Sequence, residues 1–173
     1  SNMPVKASDL LKYIQISGFM HSFNPKLPRN ATRFWDKKTP YIVHPLWCAA
    51  TIAFEQKLPP EVRARGFLIL LFHDILEDTY GELPHDLSRE VKEGVRRMTF
   101  YESRVEHVRI WSLPPEIRLF KLYDKTCNLL DAFETDPEKI KKNNELVSEL
   151  IADVEKNYGT LNITKIARSL VKS

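Results

Sequence analysis

The sequence predicts an all-α protein, a single bundle of about eight helices. Three observations predict it. Glycine is scarce, with 5 in 173 residues, and most of the five fall between helix-like segments. Strand signals are weak: the chain has no Asn-Gly hairpin dipeptide and no long alternation of β-branched residues. Apolar residues recur at helical spacing along most of the chain.

The elements follow in order. A first helix is predicted near Asp9 to His21, then a polar, proline-bearing loop from Phe23 to Pro40. A second helix starts at His44-Pro45, because proline is favoured at the first helical position, and runs to about Lys57, where Leu58-Pro59-Pro60 breaks it. A third runs from Glu61 to about Thr79. Its centre, Phe67 to Phe72, is apolar all round, which marks it as the core helix. Later helices are expected over Leu87 to Met98, Ser103 to Trp111, Pro115 to Thr135, Pro137 to Tyr158 and Asn162 to Leu170. Asp136-Pro137 and Tyr158-Gly159 punctuate them. No repeat or linker is visible, so residues 3–173 read as one domain. Ser1-Asn2 before Met3 read as a tag remnant.

Composition bounds the function. With 43% apolar and 28% charged residues, the chain has enough core-forming material to exclude disorder as its main state. A net charge of +3 permits a small anionic substrate without announcing a nucleic-acid binder. Cys48 and Cys127 are too few for a disulfide framework or a four-thiolate zinc site, and they fit a reducing, cytoplasmic setting as small apolar residues. The longest apolar stretch, Phe67 to Phe72, is too short for a membrane span, and no signal peptide is visible. No membrane partner and no nucleic-acid partner are expected.

Chemistry concentrates in three segments. His73-Asp74-Ile75-Leu76-Glu77-Asp78-Thr79 places four ionisable groups after wholly apolar turns. Buried carboxylates need partners, and a metal ion is one solution; a solvated helix end is the other reading. Thr39-Pro40-Tyr41-Ile42-Val43-His44-Pro45 sets a histidine at a helix start. In Lys121-Leu122-Tyr123-Asp124-Lys125-Thr126-Cys127-Asn128-Leu129, Asp124 and Asn128 share a helix face with Lys121 one turn back. Each segment alone is equally compatible with a capping histidine or an amphipathic surface.

Together, in the order His, His-Asp, Asp, they resemble the ligand pattern of the HD phosphohydrolases. TPYIVHP, HDILEDT and KLYDKTCNL resemble, more closely, the three motifs of RelA/SpoT-type guanosine tetraphosphate hydrolase domains of the small stand-alone type. The resemblance runs from about Ile14 to Ala132. It implies one divalent metal, typically Mn²⁺, held by His44, His73, Asp74 and Asp124, a donor set suited to a first-row ion. It implies that Glu77 and Asp78 activate water and handle protons. It implies that Asn128 contacts the nucleotide, that Arg33 or the nearby Lys37 and Lys38 face its phosphates, and that Lys121 also binds the substrate. Three places depart from the pattern, one being the upstream Arg/Lys-rich run, diluted by Phe34 and Trp35. Lys38 stands where small members usually carry Gly, and Lys125-Thr126-Cys127 replaces the usual residues between Asp and Asn.

Charge layout agrees with an anionic substrate. From Lys26 to Lys38 there are five basic residues and one acid, while from His73 to Glu93 there are seven acids and two bases. A basic loop over an acidic, metal-binding segment suits a polyphosphate. The function that the resemblance implies is hydrolysis of the 3′-pyrophosphate of guanosine tetra- or pentaphosphate. The alternatives are an HD phosphatase on a deoxynucleoside monophosphate or phosphorylated dinucleotide, and a non-catalytic nucleotide-sensing module. With two helices after the third motif, no nucleotide-transferring domain is expected. Leu146, Val147, Leu150, Ile151 and Val154 form a helical stripe read as core-facing, with a homodimer interface as its other use. His21, His85 and His107 are expected at the surface or as caps, and Trp111 and Phe120 in the core.

Overall fold

The computed structural model describes residues 6–131 and 136–171. Among them every regular element is helical, apart from two isolated bridges, Pro25 to Thr79 and Thr32 to Pro40. The helices are α1 (Ala7–Phe23), α2 (Val43–Ala53), α3 (Pro60–Phe72), α4 (Ile75–Asp78), α5 (Arg89–Met98), α6 (Ser103–Arg109), α7 (Pro115–Leu130), α8 (Pro137–Tyr158) and α9 (Asn162–Leu170). Short 3₁₀ turns occupy Pro28–Ala31 and Ile110–Ser112. The predicted tail of α7 to Thr135 and the Ser1-Asn2 remnant lie outside the described residues.

Local chemistry explains most boundaries. Proline occupies the first position of α3, α7 and α8, where no intrahelical N–H is needed. Ser88 Oγ accepts from Val91 N at 3.2 Å and caps α5. Gly159, at φ 82, ends α8 in a backbone conformation that side-chain-bearing residues rarely adopt. The buried carboxylate of Glu55 accepts from Asn162 N, so an acid sits at the positive end of α9.

The apolar run of α3 is the centre of the core, with Leu68 to Phe72 all buried. It packs against α2 through Cys48, Ala49 and Ile52, against α5 through Val91, Val95 and Met98, and against α7 through Leu119 and Phe120. Each fully buried Leu, Ile or Phe contributes roughly 1.5–3 kcal/mol. A methyl group at Gly66 would collide with the Ile52 side chain and the Phe120 ring, so glycine permits this close approach of α2, α3 and α7. The α8 stripe Leu146, Val147, Leu150, Ile151 and Val154 is buried against α7 and α9, which makes it core-facing. Arg118 clamps α8 to α7 through both oxygens of Asp153, at 2.7 and 3.0 Å.

Three expectations change. Trp111 is 37% exposed, because the 3₁₀ turn after α6 points Ile110 rather than the indole into the core. His21 is fully buried, because Tyr13, Ser17 and His21 recur every four residues on the inner face of α1. The predicted helix from Glu61 to Thr79 is broken after Phe72. His85 is exposed and His107 half-buried, as the sequence suggests.

Candidate metal centre

The break after α3 builds the site. His73 N bonds to Leu70 O at 3.4 Å, three residues back, and the helix does not resume until Ile75. In an unbroken helix, neighbours diverge by about 100° because 3.6 residues complete a turn. With the helix broken, His73 Nε2 and Asp74 Oδ2 come within 3.1 Å of each other. His44 enters from the first turn of α2, with Pro45 behind it, and Asp124 from the middle of α7.

The four side chains converge. His44 Nε2 lies 3.2 Å from His73 Nε2, 3.0 Å from Asp124 Oδ1 and 3.5 Å from Asp74 Oδ2. His73 Nε2 lies 3.3 Å from Asp124 Oδ1. All four are buried. Separations near 3 Å are those of neighbouring ligands when metal–ligand bonds are about 2.1 Å. Each Nε2 also faces a carboxylate oxygen, so a proton or a cation can satisfy the cluster. These residues fit a first-row divalent ion.

Neighbours orient the donors. Leu70 O lies 2.6 Å from His73 Nδ1, which places the proton there and turns the Nε2 lone pair into the site. The Tyr41 hydroxyl donates to Asp74 Oδ2 at 2.6 Å. Lys121 Nζ sits 3.6 Å from Asp124 Oδ2 and 3.4 Å from Glu106 Oε2, and Lys125 also pairs with Glu106. Burial alone would lower the pKa of both histidines. Asp124 and then the Cys127 thiol outweigh it at His44, lifting it to about 9, and Asp74 and Asp124 lift His73 well above its ordinary value. Burial likewise works to raise Asp74 and Asp124, but the imidazoles hold both well below the usual carboxylate range.

Glu77 and Asp78 lie on α4 beside these four side chains. Glu77 Oε1 accepts from Phe100 N. Burial first, then the Asp74 charge, pushes Glu77 up to about 8 and Asp78 up to about 7. Acids tuned to this range can exchange protons with water at neutral pH.

The basic loop is stitched onto this acidic segment. Lys26 N donates to Asp78 O at 2.8 Å, Tyr80 N to Asn24 O at 3.0 Å and Lys26 Nζ to Leu76 O at 2.8 Å. Arg33 is buried, with Nε 2.6 Å from Asp131 Oδ2 and Nη2 3.1 Å from Asn128 Oδ1. Lys37 is exposed, at a positive φ of 56°, and Lys38 is exposed beside it. A cavity of about 470 Å³ opens between Arg33, Trp35, Trp47 and His44, with Cys127 in its wall. That volume suits a small molecule.

The fold has a solved counterpart. The chain superposes on a structure described as a metazoan ortholog of SpoT that hydrolyses ppGpp and plays a role in starvation responses. The TM-score is 0.68 and the identity 20%, covering 98% of this chain and 96% of that one. The likeness establishes the helical fold over almost the whole chain. No protein-family model and no curated protein matches the sequence. Among the described residues, no helix is long and apolar enough to cross a membrane.

Of the residues singled out from sequence, the structure brings His44, His73, Asp74 and Asp124 to one point, with Glu77 and Asp78 adjacent. It joins Arg33 to Asn128 in a separate group. Lys121 is fully buried between Glu106 and Asp124, while Lys37 lies out on the loop. Sequence reasoning missed the hydroxyl role of Tyr41, although Tyr41 lies inside the first motif. It also missed Glu106, the buried counter-ion of two lysines, and the burial of His21 against Tyr41, with ring centroids 4.5 Å apart.

Proposed function

We propose that the protein is a divalent-metal-dependent phosphohydrolase. In our reading it removes the 3′-pyrophosphate of guanosine tetra- or pentaphosphate, with residues 3–173 acting as one unit. The observation that carries this is the convergence of His44, His73, Asp74 and Asp124 beside two acids tuned towards neutrality. Support for the substrate comes from the motif resemblance, and from a fold shared with a protein described as hydrolysing ppGpp.

The four ligands would hold one cation, Mn²⁺ in our reading, which when bound supplies Lewis acidity at a phosphoryl oxygen and acidifies water. The chain supplies the rest. Glu77 takes the proton of the attacking water. Asp78 returns a proton to the departing ribose 3′-oxygen as the oxygen–phosphorus bond breaks, giving pyrophosphate with GDP from the tetraphosphate or GTP from the pentaphosphate. Arg33 offers its remaining guanidinium N–H groups to a phosphate oxygen, with Asn128 and Asp131 fixing its plane. Lys37 offers a second, exposed cation from the loop. Lys121 acts by holding Asp124. We further infer a cytoplasmic setting, supported by two free cysteines.

The test is chromatography of guanosine tetraphosphate incubated with protein and Mn²⁺, with Asp74→Ala as control. GDP and pyrophosphate are expected from the wild type and absent with Asp74→Ala. Intact substrate overturns the guanosine assignment. Phosphate release from a deoxynucleoside monophosphate or a phosphorylated dinucleotide in the same assay would replace it. No turnover of any of these by a metal-loaded protein would favour the sensing module.

A further inference from the structure

A second set of metal-ligating side chains lies on the other side of His44. Cys48 follows His44 by four residues on α2, and Cys127 follows Asp124 by three on α7, so each thiol sits one helical turn behind a proposed ligand. The packing of α2 on α7 brings them together: both sulfurs and a His44 ring nitrogen lie within 4.8 Å of one another. His44 Nε2 is taken up by Asp124, Asp74 and His73. Its Nδ1 is buried and has no hydrogen-bond partner. A buried, unpartnered imidazole nitrogen beside two sulfurs is unfinished as a hydrogen-bond arrangement but complete as a ligand set. The Cys48 thiol makes a long contact of 3.5 Å to Tyr123 O and otherwise meets Cys127, the other sulfur of the set. Cys127 lines the cavity together with His44, which gives a cation a path in.

We propose that Cys48 Sγ, Cys127 Sγ and His44 Nδ1 form a binding site for a thiophilic d¹⁰ cation, Zn²⁺ or Cd²⁺, distinct from the oxygen-rich centre. Thiolates select soft ions, whereas the carboxylates on the other side of the ring suit harder ones. On binding, both S–H bonds break and two protons leave to water as two sulfur–metal bonds form. Nδ1 gives its lone pair, and any proton it carries also leaves to water. No electron is transferred. Because both centres draw on one imidazole, a soft cation here slows Mn²⁺-supported hydrolysis; that consequence, unlike the site itself, rests on the function proposed above.

The test adds Cd²⁺ alone to metal-free, reduced protein and follows the ultraviolet sulfur-to-cadmium charge-transfer band. The band is expected to saturate at one Cd²⁺ per chain. It should disappear in Cys48→Ala and Cys127→Ala and persist in Asp74→Asn, with helical content checked by circular dichroism. No band in the wild type, or a band surviving both alanine variants, overturns the site. Should either variant fail to fold, X-ray absorption of wild-type protein carrying one Zn²⁺ decides instead. Two sulfur ligands are expected, and a shell of nitrogen and oxygen alone overturns the proposal. Neither readout depends on hydrolysis, so failure of the hydrolase reading leaves this result standing.

Discussion

His73 and His44 hold their Nε2 atoms 3.2 Å apart over the same carboxylate, yet their other nitrogens meet opposite surroundings. His73 Nδ1 is fixed by Leu70 O at 2.6 Å, within the turn that ends α3. His44 Nδ1 is buried without a hydrogen-bond partner, on the side where two sulfurs lie. One ring is therefore anchored by backbone, and the other by its contacts to the oxygen-rich centre. The difference teaches that the centre has a rigid half, built into the α3–α4 break, and a half whose geometry depends on the carboxylates being present.

Removing the shared carboxylate breaks this comparison most completely. Asp124→Ala takes away the oxygen that both imidazoles face and leaves His44 without its strongest partner. Bound Mn²⁺, counted by mass spectrometry after gel filtration, is expected to fall from about one per chain to background, with hydrolysis lost. Stoichiometric Mn²⁺ in this variant would remove Asp124 from the ligand set.

Glu77→Gln separates metal binding from proton transfer on the rigid half. Its contact to Phe100 N is kept by the amide oxygen, so the fold and the four ligands should hold. Turnover is expected to fall by roughly 10²–10⁴, the usual worth of a positioned general base, with Mn²⁺ still bound. An unchanged kcat would show that another group takes the proton.

Much of this centre was legible in the sequence, because helical spacing carries side chains to predictable faces. His44, with Pro45 after it, had to begin a helix, and Asp124, Asn128 and Lys121 had to share a face. The break at His73 was not legible. The apolar period of Phe67 to Phe72 runs on through Ile75 and Leu76 without a Gly or Pro, so nothing local signals an end. What imposes it is tertiary: two adjacent polar side chains reaching one buried point. Glu106 and the two cysteines were illegible for a related reason. Their neighbours belong to other helices, and only the packing of α2 and α6 on α7 reveals them.

His21 supplies a third imidazole, buried like the other two but with neither nitrogen hydrogen-bonded. Burial lowers its pKa to about 4; Asp74 opposes this, while His73, His44 and Arg33 reinforce it, and the Tyr41 ring covers one face. The unfolded chain, with an ordinary value near 6.5, takes up the proton first as pH falls. Stability is therefore lost between about pH 6.5 and about pH 4. His21→Leu removes that contribution. Urea unfolding of both proteins should show the wild type losing about 3 kcal/mol more than the variant between roughly pH 7 and pH 4. Parallel pH profiles would mean that His21 is solvated in solution.

The smallest expected effect sharpens the contrast between the two histidines. Asp74 Oδ2 is 3.1 Å from His73 Nε2 and 3.5 Å from His44 Nε2, and the Tyr41 hydroxyl fixes that oxygen at 2.6 Å. Tyr41→Phe keeps the ring against His21 and removes only the donor. Loss of a partner that orients a metal ligand typically costs about 10–100-fold in metal affinity or activity. Titration calorimetry with Mn²⁺ should show a weakening in that range, with Tm little changed because the aromatic packing survives. An unchanged Kd would mean that Asp74 is already held in place by His73, and that the rigid half of the centre needs no help from the loop.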